Sequence, residues 1–327
     1  MNPRSPAPVV IIGAGFNVDA AEEARVSDRR YPLVADLASR CFNLSTLLPG
    51  QSIEDLFADA IREKRREPIK LLCDLLMEAD YYITPKLRPD MGSVENSYIA
   101  FFRHFAPSIL ITFNYDSLAE LMLFGMQRWR PEDGYGVPVE AELNRHLMTP
   151  PTLPDRSATI VLHQHGSLCL YPSEYRIRPD PNARTSWVEL KAEADFIFDP
   201  DSITRCFWPF ERTLPTTGYD RIEGRIIAPV PDKSEGRKGA FAAAMAKKAR
   251  EAVRSAHELI VIGYRFNPLD KQSYDPLFRA AKGSPVTLVQ PDATVLQERL
   301  QAEYSSLEWR ALPLSFQTWA GSGFPLS

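Results

Sequence analysis

One device recurs along this chain: a short apolar, β-branched run that stops on a glycine or a small polar side chain. Val9-Val10-Ile11-Ile12 stops on Gly13, and Ser108-Ile109-Leu110-Ile111 stops on Thr112-Phe113-Asn114. Ala158-Thr159-Ile160-Val161-Leu162 stops on His163-Gln164-His165-Gly166, Leu259-Ile260-Val261-Ile262 on Gly263, and Val286-Thr287-Leu288-Val289 on Gln290. Continuous apolar runs of this length mark strands covered on both faces, and strands covered on both faces belong to parallel sheets flanked by helices. Helical spacing fills the intervals, so the alternation predicts a doubly wound, mostly parallel α/β sheet. Ligands bind such sheets at the carboxyl edge, where strand ends and helix amino-termini converge. The polar stops are therefore expected to share one site.

The helical segments are read from their spacing. Leu33, Leu37 and Ala38 predict a helix running to Phe42. Ser52-Ile53-Glu54-Asp55 resembles a capping box, with Ile53, Leu56, Phe57, Ala60 and Ile61 on one face of the helix that follows. Further helices are expected at Ile69 to Ala79, Val94 to Phe105, Leu118 to Met126, Ala240 to Ala256 and Val295 to Glu303. Tyr98, Phe101, Phe102 and Phe105 are expected to point into the core rather than to stack on bases. Pro and Gly crowd residues 131 to 154, which reads as a loop, and Arg225 to Pro231 reads as a short strand ending in prolines. The whole chain, 1–327, is expected to be one domain with a helical insertion at about 45–106 and an irregular one at about 171–220. The irregular stretch includes Phe207-Trp208-Pro209-Phe210 and suits either a lid or a partner-binding insertion. Val286 to Val289 is the last clear strand.

Composition excludes several function classes. The net charge is -4, with basic and acidic residues interleaved, so no broad field attracts a nucleic-acid backbone. The basic stretch Arg62-Glu63-Lys64-Arg65-Arg66-Glu67 alternates with glutamates and reads as a solvated helix end. Cys41, Cys73, Cys169 and Cys206 stand apart from one another, so neither a zinc module nor a disulfide framework is expected. No run has the length of a membrane span or the apolar core of a signal peptide, and a reducing cytoplasm is the expected setting.

The candidate site residues sit at the stops. Gly13-Ala14-Gly15 permits a tight turn and a close backbone approach to a phosphate, although Val18 replaces the third glycine of the dinucleotide fingerprint, and a plain strand-to-helix turn fits as well. Asn114 and Asp116, two residues apart, suit one pocket; alternatively Asp116 or Ser117 caps the next helix. His163 and His165 share a face of an extended chain, but no Cys, Asp or Glu lies nearby at ligand spacing, so no metal is expected. His165, relieved of bulk by Gly166, is placed as a general base, and His163 as a hydrogen-bonded structural residue.

Taken in order, Gly13-Ala14-Gly15, Thr112-Phe113-Asn114-Tyr115-Asp116, His165-Gly166-Ser167, Gly263-Tyr264-Arg265-Phe266 and Val289-Gln290-Pro291 resemble the sirtuin-like family of NAD-consuming proteins. The nearest branch is the prokaryotic one associated with antiphage defence, whose fold is Rossmann-like. Tyr31-Pro32, the Ile53-Glu54 helix start and Ala228-Pro229 also resemble that branch. The resemblance implies NAD+ as substrate, hydrolysed to nicotinamide and ADP-ribose in a defence effector that depletes the cofactor. It implies that Gly13, Ala14, Gly15, Phe16 and Asn17 cradle the phosphates, and that Thr112, Phe113 and Gly166 also bind the cofactor. Asn114 would position a ribose hydroxyl or water, Asp116 would orient that amide or the nicotinamide, and His165 would be the base. Gly263, Tyr264 and Gln290 would line the adenosine side, and Arg265 would be a further cofactor-binding residue.

The chain departs from the family in places. Asn17 and Arg265 stand where serines are usual, and an arginine at that position binds phosphate or fills the pocket. Those two residues motivate a second reading, a non-catalytic module that binds NAD or an ADP-ribose derivative and acts through a partner. Protein deacylation ranks below both, because the four-cysteine module is missing and Phe113 replaces a glutamine. Control by self-assembly or by a separate sensor protein is expected, without membrane or direct nucleic-acid binding.

Overall fold

Six strands form the central sheet of the computed structural model, which describes residues 7–26, 28–65, 67–137, 139–142, 154–172, 175–178, 187–190, 204–207, 225–227, 229–233 and 240–326. They are β1 (Val9–Ile12), β2 (Ile109–Thr112), β3 (Ile160–His163), β4 (Leu259–Ile262), β5 (Pro285–Val289) and β6 (Glu308–Leu312). Every neighbouring pair is parallel, and the order across the sheet is β3-β2-β1-β4-β5-β6. This is the strand order of doubly wound dinucleotide-binding folds, in which the winding reverses between β1 and β4. The fold class predicted from the alternation of apolar runs and helices is the one observed.

The register decides what the sheet presents at its carboxyl edge. Ile12 lies opposite both Thr112 and Ile262, Thr112 opposite His163, and Ile262 opposite Val289. The ladder then runs one residue past each strand. Gly13 donates its N–H to the Ile262 carbonyl, Phe113 to Ile12, Gln164 to Thr112, Gly263 to Val289 and Gln290 to Leu312, all at 2.9–3.2 Å. The stops therefore end in a level row. β1 and β4 at the centre are buried at every residue, as their continuous apolar sequences require.

β6 and the helix Phe316–Gly321 lie beyond the last strand expected from the sequence. β6 is an edge strand: Trp309 is buried while Glu308 and Arg310 face solvent, so Glu-Trp-Arg carries no continuous apolar signal. Between β1 and β2 lie the helices Val34–Phe42, Ile53–Arg62, Glu67–Leu87 and Ser97–Phe105. Ser52 and Asp55 form the expected reciprocal capping box. Helix Glu67–Leu87 outruns its expected end at Ala79 because Ile83 and Leu87 are buried, and Pro85 is tolerated in its last turn. Asn96 caps Ser97–Phe105, whose Tyr98, Phe101, Phe102 and Phe105 are buried with Phe16, Phe316 and Trp319, as expected of a core face.

Outside the sheet, the stretch expected to be irregular contains regular structure. Leu170–Pro172 pairs with Thr204–Phe207, which also pairs with Glu140–Glu142, and Tyr175–Arg178 pairs with Trp187–Leu190. Residues 208–210 of the aromatic run lie outside the described residues, as does Ala228. The strand expected over 225–231 is confined to Arg225–Ile226, which runs antiparallel to Gly166–Ser167 and is no part of the central sheet.

Candidate functional site

The turns after β1 and β4 meet back to back where the winding reverses. Gly13 is extended, Ala14–Phe16 makes one tight turn, and the Gly15 N–H donates to the Gly263 carbonyl at 2.9 Å. A Cβ built on Gly263 would lie 2.4 Å from the Gly15 carbonyl carbon and 2.4 Å from the Phe16 nitrogen, and one on Gly15 would lie 2.7 Å from the Gly263 Cα. Glycine is thus needed here for one turn to approach the other, in addition to any approach to a ligand. Ala14 is exposed on this turn. The Phe16 ring is fully buried in the aromatic core, and its carbonyl accepts the Tyr98 hydroxyl at 2.9 Å.

Asn114 ties the β2 turn to the β1 turn. Its Nδ2 donates to the Gly13 carbonyl at 3.2 Å, and its N–H donates to Thr112 Oγ1 at 3.0 Å. Its carbonyl accepts from His163 Nδ1 at 3.2 Å, while His163 Nε2 lies 2.6 Å from Glu120 Oε1. Both partners of His163 are acceptors, so a doubly protonated imidazolium satisfies both nitrogens. Burial opposes that charge, but Glu120's charge and hydrogen bond and the Asn114 carbonyl outweigh it and raise the His163 pKa. With both nitrogens engaged, His163 is the structural residue expected. Among the described residues no His, Cys, Asp and Glu cluster has a metal-holding arrangement.

Beneath the Asn114 turn lie two more buried acids. Asp116 Oδ1 accepts the Leu118 N–H at 3.1 Å, so it does cap the next helix. Ser117 does not; its N–H and hydroxyl both donate to Asp80 Oδ2, at 2.9 and 2.6 Å, and Tyr31 donates to Asp80 Oδ1 at 2.6 Å. Burial first, and the Asp80 charge second, push Asp116 up to about 7, against the Leu118 N–H and the Asn17 carboxamide. Burial pushes Asp80 up to about 6, against the hydrogen bonds from Ser117 and Tyr31. Asn17 is buried beside this pair, yet neither of its amide atoms has a hydrogen-bond partner of standard geometry.

The acid pair has a pH consequence. Carboxyls that titrate higher in the folded than in the unfolded chain stabilise the fold at low pH, and that stabilisation is lost as pH rises from about 4 through the folded values of about 6 and 7. Asp116→Asn, which cannot ionise, is therefore expected to gain on the wild type by a few degrees in Tm between pH 5 and pH 8. Thermal melts of both proteins across that range check it; parallel curves would show that the pair does not hold the proton.

His165 completes the row. Its ring packs edge-on to Phe113 at 5.3 Å between centroids and lies 5.8 Å from Tyr115. Phe113 in turn stacks on Tyr264 at 4.0 Å, so one ring joins the turns after β2, β3 and β4. Gly166 follows His165 at φ +80° and turns the chain into its pairing with Ile226. Arg265 is exposed and its carbonyl accepts from Arg299, so its guanidinium does not fill a pocket. Gln290 is buried, donates to Asp292 at 2.7 Å, and leaves its Oε1 buried without a hydrogen-bond partner. An orphaned acceptor at a sheet's ligand-binding edge is a natural contact for a donor from outside the chain.

Sequence reasoning missed Asp80, Glu120, Lys233, Asp270 and Ser273, all of which touch the row or its support. One signal was legible, for Glu120: it is the lone charge in an otherwise apolar helix, where only a buried partner makes a charge tolerable.

No family model matches the chain, and no curated protein matches it. Among solved structures the chain is similar to one described under the structural basis for the mechanism and regulation of Sir2 enzymes, at 13% identity and a TM-score of 0.41, over 98% of this chain and 91% of that one. It is also similar to a mutant Sir2 homologue in complex with ADP-ribose (15% identity, TM-score 0.37, 97% of this chain and 89% of that one). A mutant Sir2 with a p53 peptide and NAD gives 10% identity and a TM-score of 0.38, over 98% of this chain and 92% of that one.

Proposed function

We propose that this chain binds NAD+ along the carboxyl edge of its sheet and hydrolyses it to nicotinamide and ADP-ribose, as an effector that depletes the cofactor. The observation that carries this reading is the level row of strand ends, in which one aromatic ring, Phe113, touches both His165 and Tyr264 and is followed directly by Asn114. Cleavage of the glycosidic bond develops oxocarbenium-like charge on the ribose. Such a site needs neutral hydrogen-bonding groups, one base and little bulk water. Asn114 supplies a carboxamide held in place by Gly13 and Thr112. His165 supplies the base: it takes a proton from a ribose hydroxyl or from the attacking water, the C–N bond to nicotinamide breaks and a C–O bond forms. Asp116 acts from behind, by fixing the turn that carries Asn114. Gln290 Oε1 offers an acceptor on the far side of the row.

A second reading, binding without turnover and action through a partner, is motivated by Asn17 and Arg265, which stand where serines are usual in the family.

Nicotinamide release and equilibrium NAD+ binding, measured side by side, separate the two. For hydrolysis, His165→Ala is expected to lower release by about 100-fold or more and Asn114→Ala by at least about tenfold, with NAD+ still bound. Wild-type protein that binds NAD+ without releasing nicotinamide, alone or with a partner or in an assembled form, supports the binding module. Release at wild-type rate by both variants sinks the assignment of the row.

A further inference from the structure

The His165 imidazole meets a segment that arrives 108 residues downstream, at Ser273. We propose that Asp270, on the turn before Ser273, is the positioning residue for His165: it sets which imidazole nitrogen carries the proton and raises the basicity of the ring. The functional half of this inference rests on the hydrolase reading above; the structural half does not.

The geometry begins with charge. Asp270 Oδ1 lies 3.5 Å from His165 Nε2 and is also paired with the Lys233 ammonium. The side chains of His165 and Lys233 are 5% and 3% exposed and that of Asp270 15%, so solvent screens the three charges weakly. A carboxylate only accepts, so its place beside Nε2 favours the proton on that nitrogen and the lone pair on Nδ1. Its negative charge also favours the imidazolium, which raises the ring's basicity, while Lys233 behind it moderates the effect. Among the described residues Ser273, Phe113 and Tyr115 also lie against the ring. Burial first, then the charge of Asp270, push the Tyr115 hydroxyl well up, so it stays neutral beside the imidazole.

The carboxylate is also held still. Asp270 closes a short turn, Pro268–Asp270, capped by Asn267 Oδ1 accepting the Leu269 N–H at 3.1 Å. Asn267 Nδ2 donates to Glu54 at 3.0 Å, which anchors the turn to helix Ile53–Arg62. Lys233 anchors it from the other side, and the next helix, Lys271–Phe278, carries Ser273. A residue tied down in this way orients its neighbour at little cost in disorder.

The test is imidazole-nitrogen NMR on the full-length chain, where only five histidines need assigning and His165→Gln identifies the signal. Wild type is expected to carry the proton on Nε2, and Asp270→Asn to lose that preference and drop the His165 pKa by about one unit. Asp270→Glu is expected to restore part of both. An unchanged tautomer and pKa in a cooperatively folded Asp270→Asn overturns the inference. If that variant does not fold, Lys233→Met tests it from the other side: loss of the cation raises the His165 pKa, and no change overturns the inference. In nicotinamide release, Asp270→Asn is expected to lower kcat about tenfold with KM within about twofold. A rise in turnover would make Asp270 a restraint on His165 and overturn the positioning role. A wild type that releases no nicotinamide sinks the hydrolase reading alone, since the NMR result stands without turnover.

Discussion

Gly263→Ala is expected to destabilise the fold by about 2–5 kcal/mol and, under the function proposed above, to abolish NAD+ binding at the sheet edge. Two costs combine. Gly263 has φ +61°, a conformation that costs an alanine about 1–2 kcal/mol. The new Cβ would also lie 2.4 Å from backbone atoms of Gly15 and Phe16, and backbone cannot rotate aside as a flexible side chain can. Forcing the turns after β1 and β4 apart adds strain on the order of 1–3 kcal/mol. It also breaks the Gly15 N–H bond to the Gly263 carbonyl. The control lies in the same chain. Gly283 has φ +72° and nothing within 4 Å of its missing Cβ, so Gly283→Ala carries the conformational cost alone. Chemical denaturation of the two variants measures the difference directly. Equal losses would mean that the two turns do not touch and that the reversal point is open.

The second large effect is expected from Glu120, a side chain with no solvent exposure that pairs with His163 and also receives Ser167 Oγ at 3.3 Å and Tyr135 Oη at 3.4 Å. Removing one partner of a buried ion pair leaves the other charged and unpaired, at a cost of about 3–5 kcal/mol. Glu120→Leu is expected to lose that much at pH 6. The double variant Glu120→Leu with His163→Leu is expected to lose less than Glu120→Leu alone, because two apolar side chains leave no stranded charge. The pH sign follows from His163. Its pKa is raised by folding, so the pair's contribution is full below the unfolded value of about 6.5 and fades as pH rises through the higher folded value. Denaturation of the four proteins of the cycle at pH 6 and pH 9 checks both statements. A double variant that loses as much as the two single variants added together would mean that the residues act independently. The functional link is direct, because His163 Nδ1 holds the Asn114 carbonyl and with it the turn that carries the proposed ribose contact.

The parts of this fold legible in sequence are those whose cause is local. An apolar run covered on both faces needs no knowledge of its neighbours, so five of the six strands could be read from their residues, as could the stops that end them. The capping box at Ser52 and the inward aromatics of Ser97–Phe105 have the same origin, a side-chain pattern with the period of the element that carries it. β6 escaped because an edge strand is half solvated and its pattern fades into that of a tail. What only the tertiary structure decided is who meets whom. The register that levels Gly13, Phe113, Gln164, Gly263 and Gln290, with Asn114 and His165 one residue beyond, comes from pairing between distant strands. The partners that give the buried charges their meaning also lie far off, Asp80 at 37 residues from Ser117 and Ser273 at 108 from His165. A buried charge announces that it has a partner, because otherwise it would be neutral or absent; the partner's identity is a fact about packing, and packing is not written in any single stretch of the chain.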